Sequence, residues 1–278
     1  MVAPRWALAA HDYPIHFDGP MVHHGAPFDG RRGDLPHFEV MFHSGPVQVT
    51  TRSYAIYWRP TGTFMSRKYL PLLDQFLTDA GGSRIYGVTK EYYGSNGQVR
   101  NQSTFGGSWT DTSPYPANIT DEAIQDEVLK AMDVNGWRPG LHSSFFVMTA
   151  KDAIKNVGFC AYHSAFNFRH DAAQPVVYAF VPYVGALNGC DPPYGISPNN
   201  DVASDGSIIS ISHEQDEMVT DPTLNAWYDP NNGEIGDICI FAFGVPFGPN
   251  GSNIVINEHP YFLQEEWSQQ SRSCQPNL

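Results

Sequence analysis

Two periodicities organise the hydrophobic positions of this chain. Over residues 47–58, Val47, Val49, Tyr54, Ile56 and Trp58 follow a two-residue spacing with one slip near Thr51, which predicts a strand. Over 66–80, Tyr69, Leu72, Leu73, Phe76 and Leu77 share one helical face that stops at Gly81-Gly82, and Pro71 fits there only within the first turn. Thr120, followed by Asp121 and Glu122, caps a second helix to about residue 134, with Ile124, Val128, Leu129 and Met132 turned inward. A third helix spans 205–220 and ends at Asp221-Pro222. The short apolar runs 144–148 and 176–181 predict buried strands, 238–243 and 253–257 predict two late strands, and the polar stretch 94–118 reads as loop. Residues 1–44, crowded with His, Pro, Gly and Asp, read as an N-terminal arm or pro-segment ahead of a single domain, 45–278. The fold class expected is α+β, built on a central mixed sheet.

Composition narrows the function. With 278 residues the chain is long enough to bury a core, and 17 Phe, 14 Tyr and 6 Trp exclude a disordered polymer. Sixteen Lys and Arg against 29 Asp and Glu leave a net charge of -13, which excludes nucleic acid and anionic membranes as partners. No apolar run approaches the roughly 20 residues of a membrane span. The cysteines, Cys160, Cys190, Cys239 and Cys274, form no C-x-x-C pair; their even count suits two disulfides, with all three connectivities open. Two disulfides would belong to an oxidising compartment; the alternative is four buried free thiols in a cytosolic protein. The segment Met1 to Ala10 lacks the apolar centre of a signal peptide, so a signal removed upstream is the expectation. Asn101, Asn118 and Asn250 head glycosylation acceptor patterns, relevant only in a eukaryotic secretory pathway.

The chemistry concentrates in His213-Glu214-x-x-Glu217. On a helix, His213 and Glu217 project from one face, and imidazole nitrogen and carboxylate oxygen both ligate zinc. Glu214 holds the place where zinc peptidases carry the general base for a metal-bound water. The competing reading is an acidic amphipathic helix, with Ile208, Ile209, Ile211 and Val219 inward and Glu214, Asp216 and Glu217 in solvent. Downstream, Trp227 to Gly233 is turn chemistry that returns the chain as Glu234-Ile235-Gly236-Asp237. Either Glu234 or Asp237 would complete a ligand set, as in gluzincin-type peptidases, with the other orienting a ligand. His163, close after Cys160, is a candidate third ligand or hydrogen-bond donor to the transition state. Tyr228 is a candidate for polarising a carbonyl oxygen. The histidines of the arm, His11, His16, His23, His24, His37 and His43, read as surface groups, and His142, His170 and His259 have no chemical context.

These residues resemble those of a known family. Ser212-His213-Glu214-x-x-Glu217 through Thr220-Asp221-Pro222, then Asn225-Ala226-Trp227-Tyr228-Asp229, Glu234 and Gly236-Asp237-Ile238-Cys239, are similar to microbial members of the exordium, or phosphate-induced protein, family. Gly158-Phe159-Cys160-x-x-His163, the apolar strand 176–181 before Cys190, and Asn200-Asp201-x-x-x-Asp205-Gly206 extend the similarity upstream. Gly45-Pro46-Val47 with Tyr57-Trp58 adds an early strand. The resemblance implies secretion and pairs Cys239 with Cys274 and Cys160 with Cys190. Plant members, secreted and wall-associated, lack the His-Glu pair of the helix. Microbial members that keep it look like zincin-type metallopeptidases, which implies a zincin-like domain with an active-site helix.

Three functions follow as expectations. The first is a secreted zinc peptidase acting on peptides or proteins, with His213, Glu217, Glu234 and Asp237 at the metal and Glu214, His163 and Tyr228 in catalysis. The second is a non-catalytic extracellular binding or signalling protein with a structural metal. The third is a calcium-stabilised, carbohydrate-associated protein.

Overall fold

The apolar runs expected as buried strands form the middle of one five-stranded sheet. A computed structural model of the chain describes residues 40–154, 159–183, 189–231, 233–240 and 242–275. In chain order the elements are β1 (Met41–Phe42), β2 (Thr51–Trp58), α1 (Tyr69–Asp79), the hairpin β3 (Tyr93–Gly94) and β4 (Gly97–Gln98), and β5 (Ser103–Asp111). There follow α2 (Asp121–Asn135), β6 (Ser143–Thr149), β7 (Tyr162–Asn167), β8 (Pro175–Val181) and α3 (Val202–Thr220). The chain closes with β9 (Trp227–Tyr228), β10 (Ile254–Ile256), β11 (His259–Tyr261), β12 (Glu266–Ser268) and β13 (Ser273–Gln275).

The main sheet runs β5-β2-β6-β8-β7. Its first four strands are parallel, and β7 lies antiparallel on the β8 edge, with His163 opposite Ala179. The sheet is therefore mixed, as expected. From β2 the chain reaches β5 through α1, and from β5 it returns past β2 to β6 through α2. Opposite directions of travel with one handedness of crossover put the two helices on opposite faces. Ile124, Val128 and Met132 of α2 pack with Ile56, Val147 and Phe180 on one face. Leu73 and Phe76 of α1, with Ile208 and Ile211 of α3, pack against Tyr57, Phe146 and Ala179 on the other. Strands buried on both faces explain why β6 and β8 read as unbroken apolar runs.

Helix α2 starts where expected, its first turn capped by the Thr120 hydroxyl accepting from Ala123 N, and it stops at Gly136 in the left-handed conformation (φ 68°). Helix α3 begins three residues before the expected start, because the Asp201 carboxylate caps it by accepting from Ser204 N at 3.0 Å.

The structure corrects three expectations and adds one strand. The stretch 94–118 is not all loop, since it supplies β5. As an edge strand with Gly106-Gly107 inside and alternate residues in solvent, β5 lacks an apolar run. Strand β7, on the other edge, is a fifth strand with no expectation behind it, because Tyr162–Asn167 mixes polar and apolar residues without an apolar run. Residues 238–243 were expected as a strand, but the described part forms a short 3-10 turn, Asp237–Cys239, where Cys239 turns into a disulfide. Lastly, α3 is not amphipathic. Glu214 (1% exposed), Asp216 (1%) and Glu217 (3%) are buried, which removes the reading of a solvated acidic face.

Both disulfides implied by the resemblance form, Cys160–Cys190 and Cys239–Cys274. Of the expected arm, 1–39 lies outside the described residues. Its last part is docked: Val40 is buried and β1 pairs with β9, Phe42 opposite Trp227.

Candidate metal centre

The second half of α3 supplies His213, Glu214 and Glu217 to a cluster that two other segments complete. From the edge strand β7 comes His163, whose Nδ1 lies 3.3 Å from Glu214 Oε2 and 3.5 Å from Glu217 Oε2. The turn after β9 brings Glu234, its Oε2 3.6 Å from His163 Nε2, and Asp237, its Oδ1 3.5 Å from His213 Nε2. His213 Nε2 also lies 3.1 Å from Glu217 Oε1. Six of the seven site residues expected from the sequence thus meet in one place. The seventh, Tyr228, stacks its ring on His43 at 3.6 Å between centroids, and no contact with the cluster is seen.

Local backbone demands explain the Gly-Glu-Ile-Gly-Asp turn. A Cβ on Gly236 would stand 2.7 Å from His213 Nδ1 and 2.9 Å from Glu217 Oε1, so only glycine lets this backbone pass the imidazole. Asp237 N–H then donates to Glu217 Oε1 at 3.1 Å, while Glu234 N–H donates to Asp237 Oδ2 at 3.1 Å. Asp221, just past α3, accepts from the backbone N–H of Asn225 and Ala226 (2.6 and 2.7 Å) and so fixes the exit of the helix.

One residue of the site carries no sequence signal. Gln264 Nε2 donates to Gly236 O at 2.8 Å, which identifies it as the amide nitrogen; the same atom lies 3.1 Å from His213 Nδ1. A neutral His213 would accept on Nδ1 and carry its proton on Nε2, toward Glu217 and Asp237, whereas the charged ring needs the Gln264 amide turned so that its oxygen faces Nδ1. A cation taken up at Nε2 displaces the proton there and requires the Gln264 amide to turn.

The electrostatics are those of a site built around positive charge. Among the described residues no Lys or Arg pairs with Glu214, Glu217, Glu234 or Asp237; their ion-pair partners are the two imidazoles. Burial pulls His163 and His213 toward neutrality, but the surrounding carboxylates outweigh it and push both well above the ordinary imidazole range. Burial raises Glu217 as well, yet His213 and His163 override this and hold it at about 2. Glu214 and Glu234 go the other way, with burial raising both. Behind α3, burial pushes Asp216 and Glu266 well above the carboxylate range, and Asp216 adds to the effect on Glu266.

The sign of the resulting pH dependence is fixed. Asp216, Glu234, Glu266, His163 and His213 all bind protons more tightly folded than unfolded. Their contribution is complete at low pH and is lost as pH rises through the folded values. Glu217 opposes them, since its contribution is present above the ordinary Glu value of 4.5 and is lost as pH falls toward 2. Chelator-treated protein should thus lose stability as pH rises above the ordinary carboxylate and imidazole ranges, measured by urea unfolding, and a flat or rising profile would refute these assignments.

Access is through a cavity of about 300 Å³ that reaches His213, Glu214 and Gln264, walled by Ile209, Ile240, Phe243 and the Cys160–Cys190 disulfide. That volume is at the lower end of ligand pockets.

Comparison with known proteins agrees with the motifs. Protein EXORDIUM-like 3 of Arabidopsis thaliana is 26% identical over 238 residues, which cover 72% of this chain and 66% of that protein. The chain thus matches just under two thirds of this relative's length. Protein EXORDIUM-like 5 of Arabidopsis thaliana is 43% identical over 51 residues, 17% of this chain and 14% of the relative. The family model described as "Phosphate-induced protein 1 conserved region" matches residues 42–259, from β1 to β11. That stretch encloses every residue of the cluster except Gln264, and the chain belongs to the phosphate-induced protein 1 family.

Proposed function

We propose that this chain is a secreted, divalent-cation-dependent hydrolase of peptide bonds, a microbial-type member of its family whose α3 acts as a zincin-like active-site helix. One observation carries the reading. Two imidazoles and four carboxylates, all buried but the half-buried Asp237, converge without a Lys or Arg counter-charge among the described residues, at the end of a cavity. The donor set fits a cation. Ligands about 2.1 Å from a tetrahedral zinc lie roughly 3.4 Å apart. His213 Nε2 meets Glu217 Oε1 and Asp237 Oδ1 at 3.1 and 3.5 Å, and Nε2 makes no hydrogen bond there. His213, Glu217 and Asp237 would hold the ion, with Glu234 bracing His163 from behind.

A bound cation supplies a polarised carbonyl and an acidified water. The chain's own groups do the rest. Glu214, raised by burial, takes the proton of the attacking water and returns it to the leaving amine. His163, 3.3 Å from Glu214, orients that carboxylate and hydrogen-bonds it. The apolar cavity wall excludes water and receives a hydrophobic side chain next to the scissile bond. The Cys160–Cys190 disulfide fixes that wall and suits an extracellular setting.

A second reading is a non-catalytic extracellular protein in which the cation, calcium included, only braces α3 and the 234–237 turn. It is favoured by the Gln264 amide, which holds His213 Nε2 protonated, and by oxygen-rich donors suited to a hard ion. The test is zinc-loaded protein offered a mixed peptide library, with cleavage read by mass spectrometry and His213→Ala as control. Cleavage by the wild type, with loss of bound metal and of cleavage in a still folded variant, supports the hydrolase. No cleavage across diverse libraries leaves the bracing role.

A further inference from the structure

We infer that the cluster is built for two cations bridged by Glu217, and that the second one disables the hydrolase; the disabling step rests on the catalytic reading above. Glu217 presents its two oxygens to different imidazoles, Oε1 to His213 Nε2 at 3.1 Å and Oε2 to His163 Nδ1 at 3.5 Å. Two complete donor groups result, His213–Glu217–Asp237 and His163–Glu214–Glu217, and the ligand atoms within each lie within 4.8 Å of one another.

The second group is the better prepared of the two. His163 Nε2 faces the Asp221 carbonyl at 3.4 Å, an atom that can only accept, and Glu234 Oε2 at 3.6 Å. His163 therefore keeps its proton on Nε2, and the proton a cation would displace is the one on Nδ1, which faces Glu214 and Glu217. An imidazole backed by a carboxylate and a carbonyl is the usual setting of a metal-ligating histidine. Nδ1 meets Glu214 Oε2 at 3.3 Å and Glu217 Oε2 at 3.5 Å, again close to the roughly 3.4 Å between ligands of one small ion. Charge points the same way. Glu214, Glu217, Glu234 and Asp237 have no Lys or Arg partner among the described residues, so the cluster offers acidic donors enough for two cations. A buried Glu234 Oε1 also remains without a hydrogen-bond partner beside this group.

Glu214 cannot ligate an ion and accept a proton from water at once. Cleavage should peak near one equivalent of zinc and fall as the second binds, while thermal stability keeps rising, because each ion binds only the folded chain.

Titration of chelator-treated protein with zinc, followed by calorimetry and thermal unfolding, tests this. Two equivalents are expected for the wild type, and one for Glu214→Gln and for His163→Ala. Zinc-soaked crystals of the unaltered protein should show two anomalous peaks about 3.5–4 Å apart, which decides the matter even if a variant misfolds. A single equivalent and a single peak would overturn the second site and leave the hydrolase reading standing. No equivalents at all would overturn both. Two equivalents with cleavage undiminished at the second would overturn the disabling role.

Discussion

Glu217→Gln is expected to abolish cation binding more completely than any other single change in this protein. Glu217 is the one carboxylate shared by both donor groups, and His213 and His163 hold it ionised down to about 2. Losing a residue that merely orients a ligand costs 10- to 100-fold in affinity, so losing this shared ligand should cost more than about 100-fold. The clean readout is linkage. Zinc at 100 times its dissociation constant stabilises a folded protein by about 2.7 kcal/mol, and that increment should be absent in the variant. The amide keeps the size of the carboxylate, and α3 is anchored elsewhere by Ile208, Ile211 and Met218, so cooperative unfolding should persist. A variant that melts cooperatively and still gains stability from zinc would contradict the central place given to Glu217.

Glu214→Gln should separate chemistry from binding. With one equivalent of zinc bound, turnover should fall by on the order of 10² to 10⁴-fold, the range for removal of a positioned base. The amide still accepts a hydrogen bond from water but cannot take its proton. Glu214 is 1% exposed and touches His163, so the change also removes a partner of that imidazole. His163→Asn, compared in parallel, should lower turnover less. Cleavage by the Gln variant at the wild-type rate would take Glu214 out of the mechanism.

How far the site could be read in advance depends on what each residue does. His213, Glu214 and Glu217 were legible because a helix of known period converts spacing into a shared face. Glu234 and Asp237 were legible because two glycines and two carboxylates in five residues make a turn that pure packing does not require. The close approach of Gly236 to His213 supplies the reason for that pattern. Gln264 was not legible. Its amide matters only because the fold sets it against Gly236 O and His213 Nδ1, and glutamine carries no local pattern that announces this. The sheet divides in the same way. Strands β6 and β8, buried on both faces, declare themselves as apolar runs, whereas the edges β5 and β7 carry none: β5 alternates exposed residues, and β7 interrupts its apolar residues with buried His163 and Ser164. The burial of α3 was hidden by its serines. Their small hydroxyls pack like alanine and pair in the interior, as Ser207 does with the Tyr69 hydroxyl at 2.7 Å, so a polar composition concealed a central helix.

The central claim is that the His163, His213, Glu214, Glu217, Glu234 and Asp237 cluster exists to hold cations. Elemental analysis of the protein from its native host, purified without an affinity tag and without chelator, addresses it most directly. The account predicts at least one equivalent of a divalent metal per chain, lost in Glu217→Gln. A fully folded wild-type protein that carries no metal, and takes up none on dialysis against zinc or calcium, would contradict it.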